Sequence, residues 1–142
     1  MSGTKLHENH RVVRQINPAR QIRDDRNVLI GFLHSAFELR DNEDYLSVAW
    51  CEYFEGNANS QREEATRQLR NARSDKKTTV YWTASIAEIR KAMSHHGFRA
   101  LHEPVGEFTS HTALRRWPRE TGLLDQLAAD ALAEIHISED IG

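Results

Sequence analysis

Along Arg11-Val12-Val13-Arg14-Gln15-Ile16 apolar and polar residues mix so that a period of two would put Val12, Arg14 and Ile16 on one side and Val13 and Gln15 on the other. That period of two predicts a strand, ended by Asn17-Pro18. The apolar run Asn27–Leu33 is too short for periodicity to separate strand from helix, and is assigned to the core in either form. In Asp44–Gly56, the stretch richest in aromatic, apolar and acidic residues, Leu46, Ala49, Trp50 and Tyr53 fall at i, i+3, i+4 and i+7. This spacing predicts one face of a helix. Ser60 and Glu63 have the spacing of a capping box and open a second helix from Gln61 to about Ser74, with a narrow stripe of Ala65, Leu69 and Ala72.

Thr78–Thr83 is dense in β-branched and aromatic residues and predicts a strand. Ser85 and Glu88 form another capping box, followed by Ile86, Ile89 and Met93 at helical spacing, with Gly97 placed to close the helix. Residues 98–103 and 110–114 are read as two strands about a turn at 105–109 containing Gly106. In the last helix Leu123, Leu124, Leu127, Ala128, Ala131, Leu132 and Ile135 cover about half of a helical wheel. The order predicts one α+β domain over 11–137, with a mixed or antiparallel sheet and three to five helices packed mainly on one face. A flexible segment at 1–10 and a frayed acidic tail at 138–142 are expected to flank it.

Composition narrows the function classes. The 142 residues suit one core, and 39% hydrophobic with 28% charged residues is a folding composition. A single cysteine excludes a disulfide scaffold; Cys51, between Trp50 and Tyr53, is read as a small buried hydrophobe. Residues 1–10 carry no apolar signal region and no 18 apolar residues run together, so a cytoplasmic protein without a membrane span is expected. The net charge of -2 hides blocks. Residues 38–55 carry six acids and one base, whereas 62–77 carry six bases and three acids. Arg62, Arg70 and Arg73 gather on one face of the expected helix, and Lys76 and Lys77 extend it. This face is the candidate surface for a protein partner, or locally for nucleic acid.

Chemistry is less sharply marked. His102 and His111 flank the expected turn and, were their strands paired, would point to one face; His95 or His96 could add a third imidazole. Neither an H-x-x-x-H nor a C-x-x-C spacing accompanies them, so no metal is assigned. Ser35, Ser47 or Ser110 with His102 or His111 and Glu52 supply the parts of a nucleophilic site, without a G-x-S-x-G elbow. Glycine-rich phosphate and dinucleotide loops are absent, and the residues leave the identity of any cofactor open.

The phrases His34-Ser35-Ala36-Phe37, Leu46–Phe54, His102-Glu103-Pro104 and Ser110-His111-Thr112 together resemble those of small bacterial proteins, a likeness that implies no particular activity. The layout is also similar, more faintly, to small NAD-using ADP-ribosyltransferase-like domains. That resemblance implies an Arg, a Ser and a Glu or His meeting around a nicotinamide, at Arg14, Ser47 or Ser35, and Glu52 or His111. Two functions are therefore carried forward. The first is an accessory domain that holds a partner through its acidic segment 38–55 and basic segment 61–77. The second is an enzyme or ligand-binding domain with a polar pocket of Arg14, Ser35, Ser47, His102 and His111.

Overall fold

The computed structural model of the chain describes residues 3–74, 76–94, 96–130 and, for the backbone, 135–137. The segment 11–16 becomes β1 (Arg11–Ile16), followed by the hairpin strands β2 (Gln21–Arg23) and β3 (Leu29–Phe32). A 3-10 turn, His34–Phe37, precedes β4 (Tyr45–Trp50), and another, Cys51–Tyr53, leads to α1 (Ala58–Ala72). Then come β5 (Val80–Ser85), α2 (Ile86–Ala92), β6 (Arg99–His102), β7 (His111–Arg115), α3 (Thr121–Asp130) and β8 (Ile135–Ile137). The fold is α+β.

Six strands make one sheet in the order β6-β7-β4-β1-β5-β8, every neighbouring pair antiparallel. β1 lies against β5 over its whole length, from Arg11 opposite Ser85 to Ile16 opposite Val80. Toward β4 it pairs only at Val12 with Trp50 and Val13 with Ala49. Beyond that point the two strands part, and the seam between them positions the site described below.

Because side chains alternate across a strand, the two faces carry different cores. Val12, Ile16, Leu46, Val48 and Trp82 join Ile86 and Ile89 of α2, Leu124 and Leu127 of α3, and Phe32 and Phe37. On the opposite face, Val13, Ala49 and Tyr81 meet Ala65 and Leu69 of α1, with Cys51 and Phe108. Helices thus cover both faces rather than mainly one. α1 is held to the second face by small residues that allow close approach.

Several local expectations give way to pairing. Residues 45–50 form a strand, not a helix: Leu46 and Val48 pack on one face and Ala49 on the other, and both edges of β4 find partners. α1 begins at Ala58 because Asn57, not Ser60, caps it; the Asn57 side chain accepts from Ser60 N at 2.9 Å. The Ser85–Glu88 capping box is present as read. α2 stops at Ala92, with Ser94 rather than Gly97 in the left-handed conformation (φ 59°). The run 27–33 is core only in part, since Val28 and Ile30 on the hairpin are 53% and 51% exposed. Ile135 belongs to β8 instead of the last helix.

The segment expected to be flexible is laid along the sheet edge from Thr4. His102 N donates to Thr4 O at 2.8 Å, Leu6 N donates to Ala100 O at 3.0 Å, and Leu6 is 3% exposed. A Cβ added to Gly3 would collide with the His102 carbonyl oxygen, a close approach that glycine permits. His95 and the tail 138–142 lie outside the described residues. Among the described residues no helix is long and apolar enough to cross a membrane.

Candidate functional site

The seam between β1 and β4 is occupied by the Arg14 side chain. Its Nε donates to Ala36 O at 2.8 Å and its Nη1 to Ser47 O at 3.0 Å. The guanidinium thus crosses the gap where backbone rungs have stopped, leaving Nη2 with no protein partner among the described residues. The Ala36 carbonyl is held in place by its neighbour. Phe37 is fully buried, its ring is edge-on to Trp82 at 4.8 Å, and Phe37 O accepts from Trp117 Nε1 at 2.6 Å.

Among the described residues no carboxylate lies within ion-pair distance of Arg14. Burial, and then the charge of Arg73, lower its pKa to about 10. It stays protonated at neutral pH, a cation that the Glu43 charge offsets only in part. A cleft of about 680 Å³ opens beside it, lined by Arg14, Arg20, Arg40, Arg73 and Arg119 against Glu38, Asp41 and Glu43. Five arginines and three carboxylates leave a cationic excess. Arg20 Nη1 contacts Ser35 Oγ at 3.5 Å, and Arg119 Nη2 donates to Glu43 O at 2.8 Å. The Arg40 and Arg73 side chains make no hydrogen bond or ion pair among the described residues. α1 ends here as the Arg73 backbone turns extended, and Gln15 Nε2 donates to Arg73 O at 3.3 Å, which sets the Arg73 backbone beside β1.

A second cavity, about 480 Å³, lies on the α1 face and shares Ser47 and Arg73 with the first. Tyr45, Gln68, Val105, Phe108 and His111 also line it. Ser47 is 7% exposed and its Oγ has no hydrogen-bond partner. His111 is 3% exposed; its Nδ1 sits 2.7 Å from Glu103 O, which fixes the proton on Nδ1 and leaves Nε2 an acceptor. Gln68 is fully engaged: its Oε1 accepts from Ser110 N and Ser110 Oγ, and its Nε2 donates to Thr109 Oγ1. It ties the turn between β6 and β7 to α1.

Burial holds His111 below its ordinary value of 6.5, against the opposing hydrogen bond to Glu103 O. As pH falls, the unfolded chain therefore takes up this proton before the folded one. The contribution of His111 to stability is complete above about pH 6.5 and is lost as pH drops through the folded value. In urea unfolding at about pH 7.5 and about pH 5, the stability difference between the two conditions should be smaller in His111→Gln than in the parent. An unchanged difference would place the acid sensitivity in another group.

The remaining candidates disperse. His102 stands opposite Thr112, the neighbour of His111, so alternation sends the two imidazoles to opposite faces. His102 Nε2 is 2.7 Å from Thr109 O, and its ring lies 5.2 Å from both Trp50 and Tyr53. Glu52 accepts from Arg11 N at 2.7 Å and from Arg11 Nε at 2.8 Å, and lines neither cavity. Arg14, Ser35 and Ser47 therefore share the cleft, Ser47 and His111 share the second cavity, and Glu52 and His102 stand apart from both. On α1, Arg62 and Arg70 are half-buried, the Arg62 Nε without a partner, while Arg73, Lys76 and Lys77 are exposed. Among the described residues no three His, Cys, Asp or Glu side chains group as metal ligands. The Cys51 thiol is pushed up to about 12, chiefly by burial, and is not a nucleophile at neutral pH. Arg20, Arg40, Arg119 and Tyr45 were not marked by any sequence motif.

In comparisons with known proteins, no family model, curated protein or solved structure matches the chain.

Proposed function

We propose that the chain is a small cytoplasmic ligand-binding domain whose cleft takes an anionic group, a phosphate or carboxylate, between Arg14 and Arg73. The observation that carries this reading is the half-buried Arg14 guanidinium, spent on two carbonyls, without a carboxylate at ion-pair distance among the described residues, and lining the cleft with Nη2 uncommitted. An arginine fork presented in this way matches a planar carboxylate or a phosphate edge. The nearby Arg73, unpaired and exposed, adds a second cation from the end of α1.

Binding is favoured over a reaction by the state of the hydroxyls. Ser35 Oγ contacts Arg20, Ser110 Oγ donates to Gln68, and Ser47 Oγ has no partner, so none is hydrogen-bonded to a base. The same charges weigh against docking a partner through the acidic and basic segments. Glu38, Asp41 and Glu43 line one cleft together with Arg73, and Glu52 and Arg67 are held by Arg11 and Glu64. Glu52 and Arg67 are thus engaged within the molecule rather than offered to a partner.

Thermal unfolding in inorganic phosphate or pyrophosphate, against chloride of matched ionic strength, tests the reading. At about a hundredfold excess over the dissociation constant, phosphate should stabilise the parent by about 2.7 kcal/mol. Arg73→Ala, at an exposed position, should change stability in chloride by less than about 0.5 kcal/mol and remove most of the phosphate response. If phosphate and pyrophosphate do no more than chloride, the anion site is not there.

A further inference from the structure

Resting on that anion site, we infer that the ligand also carries a flat ring bearing N–H or O–H donors, which enters the second cavity while its acidic group stays with Arg14 and Arg73. The chemistry that joins these parts is that of a nucleoside monophosphate.

The two cavities adjoin. Ser47 and Arg73 line both, beside the seam that the Arg14 side chain fills. Arg73 makes the same point electrostatically, since its charge acts on Arg14 in the cleft and on His111 in the second cavity. Each volume lies in the range of a small-molecule site.

The walls of the second cavity are of a different kind from the cleft. Tyr45, Val105 and Phe108 offer aromatic and apolar surface, suited to the faces of a ring. The Tyr45 and His111 rings are edge-on at 5.6 Å, and Phe108 and His111 at 5.1 Å, so the imidazole is wedged in place. Its Nδ1 is committed to Glu103 O, and Nε2 is left as a lone-pair acceptor with no partner among the described residues. Ser47 Oγ, buried and unpartnered, is another polar atom of this lining, to which Asn71 and the Glu107 carboxylate also belong. His111 Nε2 and Ser47 Oγ can both accept, and neither is satisfied from within the chain, so the missing complement is a donor-bearing ring edge. Register places both on the α1 face, Ser47 opposite Ala113 and His111 opposite Ala49.

The test is calorimetric titration of the full chain with the four common nucleoside 5′-monophosphates, ribose 5-phosphate and inorganic phosphate. At least one nucleotide should bind about tenfold more tightly than ribose 5-phosphate. Ser47→Ala removes a hydroxyl that holds no other group, so the fold is retained. It should weaken that nucleotide by about fivefold to tenfold, close to the worth of one hydrogen bond, while the affinity for ribose 5-phosphate stays as it was. Nucleotides that bind no better than ribose 5-phosphate, or a Ser47→Ala loss equal for all phosphates, would overturn the ring site and leave the anion site standing. Absence of binding by ribose 5-phosphate and phosphate as well would remove both.

Discussion

Replacing Arg14 with leucine should lower stability by about 3 kcal/mol and abolish the response to phosphate. The estimate follows from what the guanidinium holds. Ala36 O and Ser47 O both lose their donor, at about 1–3 kcal/mol for each buried group left unsatisfied, and removal of a half-buried, only partly compensated charge offsets part of the loss. Arg14→Lys keeps the charge but offers no planar fork, and should fall between the two in stability and in phosphate response. Urea unfolding in chloride buffer measures the first effect, and thermal unfolding with added phosphate the second. A leucine variant as stable as the parent would mean that the guanidinium does not hold the seam.

The second large effect is expected at Phe37, whose truncation to alanine should cost about 3–5 kcal/mol, the usual range for a fully buried phenylalanine. Against a typical total of about 5–15 kcal/mol, this brings the chain close to unfolding at room temperature. The ring is set edge-on to Trp82 and the carbonyl is held by Trp117 Nε1, so the loss should appear in near-ultraviolet circular dichroism and tryptophan fluorescence. Phe37→Leu keeps most of the volume and should fold at a cost of about 1.5 kcal/mol or less. Because the adjacent Ala36 carbonyl positions Arg14, this milder variant should also weaken phosphate binding. Normal phosphate affinity in Phe37→Leu would separate the 3-10 turn from the site.

How much of this was legible along the chain depends on whether local pattern and tertiary pairing agree. β1, with its valines ahead of Asn17-Pro18, and α2, with a reciprocal cap at Ser85 and Glu88, could be read directly. β4 could not, because the same residues satisfy two periods. Leu46, Ala49, Trp50 and Tyr53 fit a helix, while Leu46 and Val48 against Ala49 fit a strand, and only partners on both edges decide between them. The run 27–33 was misjudged for a related reason: a two-stranded hairpin at the margin buries Phe32 and leaves Ile30 outside.

The site was partly visible. Arg14 stands between Val12 and Ile16 in an apolar alternation, and a charge there signals a buried group with a task. Its companions carry no such mark, since Arg20, Arg40, Arg73 and Arg119 are far apart in sequence and meet only through the topology. His102 and His111 fail as a pair by parity: the rung that joins His102 to Thr112 turns His111 away. Ser47 and His111 share a face because their rungs, Ser47 with Ala113 and Ala49 with His111, are two residues apart.

The short contact between β1 and β4 divides the sheet into two panels, β6-β7-β4 and β1-β5-β8, hinged on two pairs of residues and clasped by one side chain. An anion held on that clasp, as proposed above, would bear on the join between the panels. Under that proposal recognition and the cohesion of the sheet are coupled through Arg14, and occupancy would be felt as slower breathing of the strands on either side.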